Sequence, residues 1–491
     1  MEYANLTMLT DFYELTMMQA YYQVEKHVEK TGREPQQAVF DLFYRENPQA
    51  SGYAIMAGLE QAVDYIQNLH FTEEDAAFLR DTGVFNDDFV DYLKGFTFTG
   101  DIYAIPEGTV VFPGEPLIRV KGPIMEVQLI ETALLNIINH QSLIATKAAR
   151  VVWAAKGDIV LEFGLRRAQG PDAGLFGARA AMIGGCHGTS NVLAGKSFNI
   201  PLKGTHAHSW IMSHENELDS FRRYADMYPK DCILLVDTYD TLNSGIPNAI
   251  KVFRELQNKG IELERFGIRL DSGDLAYLSK AARKQLDEAG FPCAIISASG
   301  DLDEYVITDL KAQGAQINVW GVGTHLITSK DNPAFGGVYK LAAETNEKGQ
   351  WIPKIKLSEN PAKITNPGEK KVYRFYDSST GKVKADLITL IDEKITDKGD
   401  LVIFDPRAPW KRMTLKRGRF RVRELLEPVF VKGRCLYNTQ SVMQVRDNSI
   451  EERKTLWDEH KRLTKPHLYP VDLSQKLYNL KQGMINELLN I

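Results

Sequence analysis

FGIRLDSGDLAYLSKAARKQLDEAGFPCAIISASGDLDEY, residues 266–305, is the stretch that decides the fold. A short apolar run ends at Leu270, a polar loop follows (Asp271, Ser272, Gly273, Asp274), and helical spacing then holds from Ala276 to Gly290. A second apolar run, Ala294–Ser297, ends in a second Ser/Gly/Asp loop. Strand, loop, helix, strand in this rhythm is the βαβ unit, which makes its strands parallel and covers the sheet with helices.

Working outward, the same alternation predicts strands at Ile159–Glu162, Leu202–Thr205, Ile233–Val236 and Ile317–Trp320, and a helix over Ile246–Gly260. Fewer than the eight units of a complete ring are legible. The expected core is therefore an irregular or incomplete (β/α) barrel. Before it, GDIYAIPEGTVVFPGEPLIRVKGP (100–123) reads as short strands joined by Pro/Gly turns, and a long core helix is expected from Met125 to about Ala155, with Leu129, Leu134, Leu135, Ile138 and Ile144 on one face. After it, VYRFYDSSTGKVKADLITLI (372–391) predicts a hairpin turning at Ser378–Gly381. The expected class is α/β, with an α+β sandwich-like domain built from the N-terminal and post-barrel segments. The boundaries expected are 1–130, barrel 131–340, return 341–448, and a charged helical tail 449–491.

With 44% apolar and 25% charged residues, the 491-residue chain has the balance of a folded globular protein. A formal net charge of -5 argues against a nucleic-acid-binding protein. The acidic N-terminus lacks a basic n-region and no run of about 18 apolar residues occurs, so a cytoplasmic protein without membrane contact is expected. Cys186, Cys232, Cys293 and Cys435 have no CxxC spacing and read as reduced thiols, mostly buried. No metal-ligating set is read from the sequence.

The chemistry is expected in the loops after the strands. Ser272 and Gly273, then Gly300 and Asp301, then Gly321 and Gly323, recur at successive strand ends. Neighbouring loops of this kind make a phosphate cradle, where glycine lets backbone amides approach an anion. The competing reading is that Asp271 or Ser272 merely caps the next helix. Arg269 adds a cation, and Asp271 suits sugar hydroxyls or a metal-bound water. FGLRRAQG (163–170) offers Arg166 for a carboxylate or phosphate and Phe163 as an aromatic face. GTHAHSWIMSH (204–214) packs His206, His208 and His214 into nine residues of a chain with ten histidines. Without a familiar ligand spacing, one reactive histidine and two structural ones is the preferred reading over zinc. VDTYDT (236–241) supplies Asp237, suited to a ribose hydroxyl or to Mg2+ through water.

Taken in order, TDFYELTM (10–17), GPIMEVQLIETALLNIINHQS (122–142), FGLRRAQG, GTHAHSW, VDTYDT, IRLDSGD and KLSENPAKITNPGEKKVYR (356–374) resemble the nicotinate phosphoribosyltransferase family over essentially the whole chain. The resemblance implies formation of nicotinate mononucleotide from nicotinate and 5-phosphoribosyl 1-diphosphate. It also implies Mg2+, ATP as co-substrate through a phosphohistidine at His208, and a homodimer whose partner contributes Asp11 and Tyr13 to the nicotinate pocket. In that scheme Phe163 and Tyr13 sandwich the ring and Arg166 faces its carboxylate. Asp237, Arg269 and Asp271 contact the ribose and its substituents, and Gly300, Asp301, Gly321 and Gly323 fall on the 5'-phosphate side.

Nicotinamide phosphoribosyltransferase is the nearest alternative. It resembles the chain less, because its acidic amide-binding residue is replaced by Thr189 and Ser190 of GCHGTSN (185–191). A carboxylate about 4 Å from nicotinate would cost roughly 4 kcal/mol at an effective dielectric near 20. A Schiff-base sugar-phosphate enzyme would want a lysine at a strand end, and none of the expected strands ends in one. A non-catalytic sensor has no need of His208, Asp237 and Asp271 together.

Overall fold

A computed structural model describes residues 5–29, 35–360 and 363–489. Pro361 and Ala362, inside the 356–374 motif, lie outside the described residues. The protein is mixed α/β and divides into two compact units, Met1–Leu143 with Ala334–Gln440 and Asp447–Ile491, and Ile144–Pro333 with Ser441–Arg446.

The second unit carries a five-stranded parallel sheet in the order Ile159–Glu162, Val319–Val322, Ile295–Ala298, Arg265–Leu270, Asp231–Leu235. Each connecting helix buries one stripe. Ile246–Asn258 turns Ile246, Ala249, Val252, Phe253 and Leu256 inward, the i, i+3, i+7 pattern of an amphipathic helix. Phe253 meets Phe266 and Phe291 edge-on at 5.2 and 5.7 Å, so a strand, its helix and the following loop share one aromatic knot. Removing that ring would cost about 3–5 kcal/mol.

Leu202–Thr205 is not a ladder strand. Only isolated parallel bridges, Glu162 to Thr189 and Thr189 to Leu202, carry the sheet past its Ile159–Glu162 edge. Pro201 precedes this run and Gly204 interrupts it, and proline cannot donate to a ladder.

The first unit is built on a seven-stranded sheet, in which Gln37–Tyr44 pairs antiparallel with Gly337–Thr345 on one side and Ile118–Pro123 on the other. The hairpin Lys370–Asp377/Val383–Leu390 lies in a four-stranded sheet. Its turn is fixed by Asp377 Oδ1, which accepts the amides of Ser379 and Thr380, and by Gly381 at φ 69°. The long core helix is interrupted at Ile130 into Ile124–Leu129 and Glu131–Ala154. The C-terminal segment is not wholly helical: Val471–Leu473 pairs parallel with Val383–Leu390 before the final helix Gln475–Leu489.

Candidate active site

The capping question is settled by three other carboxylates. Asp274 accepts the amide of Tyr277 and caps the helix after the Arg265–Leu270 strand. Asp303 accepts the amides of Tyr305 and Val306 one unit later, and Asp240 accepts that of Asn243 one unit earlier. Asp237, Asp271 and Ser272 are thus not needed as caps.

They interlock instead. Asp237 Oδ2 accepts the Asp271 amide at 2.7 Å and the Ser272 hydroxyl at 2.8 Å. Asp271 Oδ1 accepts the Ser299 hydroxyl, and Asp271 Oδ2 lies 3.9 Å from His208 Nε2. The other nitrogen of His208, Nδ1, is hydrogen-bonded to Thr238 Oγ1 at 3.0 Å. Arg269 donates to Thr205 Oγ1 at 2.7 Å and holds its second nitrogen 3.8 Å from Asp271 Oδ1. Burial pulls the Arg269 guanidinium below its ordinary value, Asp271 and Asp237 oppose this, and Arg166 is close enough to add to the lowering. Two cations and two carboxylates therefore share one electrostatic neighbourhood at the carboxyl ends of parallel strands, where α/β sheets bind ligands.

His206 and His208 are separated in role by geometry. His206 is buried, accepts the Leu235 amide on Nε2 at 3.3 Å, and packs on Tyr224 at 4.5 Å. Burial, with Arg269 nearby, lowers it to about 4. His214 Nδ1 is hydrogen-bonded to the Trp210 carbonyl at 2.7 Å. His208 alone of the three stands beside Asp271.

The glycine loops differ among themselves. Gly300 has φ +91°, and a Cβ there would stand 2.4 Å from the Asp271 carbonyl oxygen, so the two loops touch backbone to backbone. Asp301 follows at φ 38°, a left-handed conformation unusual for a residue with a side chain. Gly273 has φ +81° and is exposed with Ser272. The bare face of Gly321 is covered by the Phe163 ring, which a Cβ would meet at 2.6 Å. Gly323 lies under the Phe163 carbonyl, 3.3 Å from its Cβ position.

Phe163 is half-buried and Arg166 exposed, on the turn Leu165–Arg167. Ser190 is exposed, whereas Thr189 is fully buried and donates its hydroxyl to Glu162 Oε2 at 2.5 Å. Asp11 and Tyr13 belong to the first unit. Asp11 accepts the Thr132 hydroxyl at 2.7 Å, and burial together with Glu131, Glu14 and Asp11 pushes the half-exposed Tyr13 up to about 12.

Asp237 Oδ1 is buried without a hydrogen-bond partner, an orphaned acceptor of the kind a metal-bound water satisfies. Asp303, His325 and Asp331 bring three ligand atoms within 4.8 Å, but Lys147 Nζ lies 3.8 Å from Asp331 Oδ2 and opposes a cation there. Sequence reading did not single out Thr205, Thr238, Ser299 or Glu162.

A parallel sheet that gathers histidine, paired carboxylates, arginines and glycine turns at its carboxyl edge defines an α/β enzyme site. The chain matches the nicotinate phosphoribosyltransferase N-terminal domain over residues 8–139, the nicotinate phosphoribosyltransferase family over 159–363 and its C-terminal domain over 369–481. Nicotinate phosphoribosyltransferase of Bacillus subtilis is 48% identical over 98% of this chain and 96% of its own length. Nicotinate phosphoribosyltransferase 2 of Arabidopsis thaliana is 36% identical over 96% and 93%. The crystal structure of human nicotinic acid phosphoribosyltransferase superposes with a TM-score of 0.81 at 30% identity, covering 97% of this chain and 99% of that one. The chain belongs to the nicotinate phosphoribosyltransferase family and is an enzyme of that family.

Proposed function

We propose that the protein joins nicotinate to 5-phosphoribosyl 1-diphosphate, giving nicotinate mononucleotide and diphosphate in pyridine nucleotide salvage. The observation that carries this reading is the Asp237–Asp271–His208 cluster, relieved of helix capping by Asp240, Asp274 and Asp303. The lone pair of the pyridine nitrogen attacks C1' while the bond to the diphosphate oxygen breaks and the diphosphate leaves with its electron pair. No proton need move, so the enzyme's work is positioning and charge neutralisation.

Arg166 faces the nicotinate carboxylate and Phe163 covers one side of the ring. Arg269, Asp271 and Asp237 hold the ribose and its substituents, and Ser272, Gly273, Gly300 and Asp301 present amides and hydroxyls to phosphate. Gly321 and Gly323, assigned to the 5'-phosphate side, also set the height of Phe163. Thr189 acts from behind the pocket and Ser190 from its surface. The Asp237 carboxylate, with its unpartnered Oδ1, fits a hydrated Mg2+, which when bound neutralises phosphate charge.

ATP is the co-substrate: a His208 ring nitrogen attacks its γ-phosphorus, the bond to the β–γ bridging oxygen breaks, and ADP leaves with the electron pair. The added negative charge would change the electrostatics of the donor site. Asp11 and Tyr13 of a second copy complete the ring pocket in a homodimer. Supporting this, Phe12, Tyr13 and Met17 leave an apolar surface exposed on one N-terminal helix. We further read the parallel sheet as part of an incomplete (β/α) barrel, continued through Thr189 and Leu202 toward the Asp231–Leu235 strand that His206 touches. Along the chain, the proposed divisions are 1–130 and 341–448 for the α+β domain, 131–340 for the barrel and 449–491 for the C-terminal tail. A cytoplasmic location accords with the lack of any helix, among the described residues, long and apolar enough to cross a membrane.

The test is formation of nicotinate mononucleotide with Mg2+, with and without ATP, in parallel with nicotinamide. Product from nicotinate stimulated by ATP supports the reading. Product from nicotinamide alone overturns the substrate, and no product from either overturns the reaction.

A further inference from the structure

Glu162 ends the Ile159–Glu162 strand fully buried, between one loop that carries the half-buried Phe163 and the exposed Arg166 and another that carries the exposed Ser190. Its Oε1 accepts the Gly164 amide and its Oε2 the Thr189 hydroxyl. The backbone makes the same connection, since the Ser190 amide donates to the Glu162 carbonyl at 3.0 Å and the Glu162 amide to that of Gly188 at 2.9 Å. Beyond Thr189 the chain of contacts continues inward. Thr189 Oγ1 accepts the Asn191 amide at 3.0 Å, Asn191 Oδ1 caps the helix Val192–Phe198, and Asn191 Nδ2 donates to the Gly174 carbonyl at 3.1 Å.

The fit leaves no slack. A Cβ at Gly164 would lie 2.9 Å from Glu162 Oε1 and 2.4 Å from Ile327 Cβ, so the turn carrying Phe163 can sit against the carboxyl only because residue 164 is glycine. No ion pair reaches Glu162 among the described residues. Burial holds its carboxyl above the ordinary value, with the Thr189 and Gly164 hydrogen bonds opposing. The carboxyl brackets the two segments, one oxygen accepting the Gly164 N–H and the other the Thr189 hydroxyl.

We propose that Glu162 is a positioning residue for the ring-binding side of the site, its carboxyl fastening the Phe163–Arg166 turn to the Thr189–Asn191 segment so that Phe163 and Ser190 keep a fixed separation. The inference rests on the reading of that side as the nicotinate pocket. Glu162 touches no reacting atom. Its effect is on ring binding rather than on the phosphoribosyl donor.

Two readouts on the full-length Glu162→Gln and Glu162→Ala enzymes test it. Glutamine keeps the shape of the bracket, with its carbonyl for Gly164 and its amide for Thr189 Oγ1. The nicotinate KM of Glu162→Gln should stay within about twofold of wild type, while Glu162→Ala raises it about tenfold or more and leaves the donor KM nearly unchanged. Hydrogen exchange provides the second measurement and needs no turnover. The Gly164 and Asn191 amides should be protected in wild type and Glu162→Gln and should exchange at least about tenfold faster in Glu162→Ala. Equal loss in both variants, a matching rise in donor KM, or unchanged exchange in Glu162→Ala would each overturn the clamp. A wild-type enzyme inactive on nicotinate, with the exchange pattern as expected, would instead overturn the substrate assignment and leave the fastening in place.

Discussion

His206 accepts the backbone amide of Leu235 at 3.3 Å, and that one contact separates two histidines only two residues apart. A ring nitrogen that accepts an amide is unprotonated, and burial keeps it so. His208, with Nε2 facing Asp271 across 3.9 Å, carries no such duty.

His208→Ala is therefore expected to abolish the ATP stimulation of nucleotide synthesis while the protein stays folded. His206→Ala should lower stability by about 1–3 kcal/mol, through loss of a buried acceptor and its packing. The pH dependence has a defined sign. His206 has a folded value of about 4 against an ordinary 6.5, so its contribution is complete above pH 6.5 and is lost as pH falls toward 4. Thermal unfolding of wild type and His206→Gln between pH 4 and 7 checks this: the wild-type curve should fall more steeply on acidification. Parallel curves would count against it.

Glu14 carries the opposite sign. Buried among Thr10 and Thr132, its carboxyl is raised to about 7 by desolvation, so the folded state is favoured at low pH and loses stability as pH rises through 7. Glu14→Gln should gain about 1–3 kcal/mol over wild type at pH 8 and little at pH 5, read by urea unfolding at the two values.

Gly321→Ala drives a methyl group into the Phe163 ring at 2.6 Å. The nicotinate KM should rise by roughly an order of magnitude with a smaller change for the phosphoribosyl donor. If the donor KM moved more, the phosphate-side role of Gly321 would outweigh its hold on the Phe163 ring.

Shared sites leave a kinetic fingerprint. Tyr13→Ala and His208→Ala homodimers should each be impaired, and co-refolding equal amounts should restore activity, to about a quarter of wild type's fully active sites if each site draws Tyr13 from one copy and His208 from the other. Absence of any recovery would place Tyr13 in the same copy's site or outside it.

The sequence was most informative where chemistry and periodicity coincide. Each strand of the parallel sheet is a short apolar run closed by a polar loop, so five of the six expected strands are present with ends shifted by a residue or two. Leu202–Thr205 has the composition of a strand but no ladder, because its neighbours are single bridges invisible in local pattern. Val471–Leu473 is too short to show period two and exists only through Val383–Leu390, about 85 residues away. The site divides the same way. Asp237 and Asp271 stand in loops of unusual composition, and His208 opens the short helix His208–Met212 in another such stretch. Thr238, Ser299 and Glu162 are ordinary residue types whose roles come from partners roughly 30 residues off, and for Thr238 the only available hint was its place inside VDTYDT.

The pairing of Gln37–Tyr44 with Gly337–Thr345 has a consequence for biosynthesis. Emerging from the ribosome, the early strand waits for some three hundred further residues before its neighbour exists, roughly 15–60 s at ordinary elongation rates. Throughout that interval the nascent chain displays an unpaired, mostly apolar edge. The five strands of the parallel sheet are all made first, and the N-terminal segment depends on chaperone shelter or provisional packing until synthesis passes Thr345.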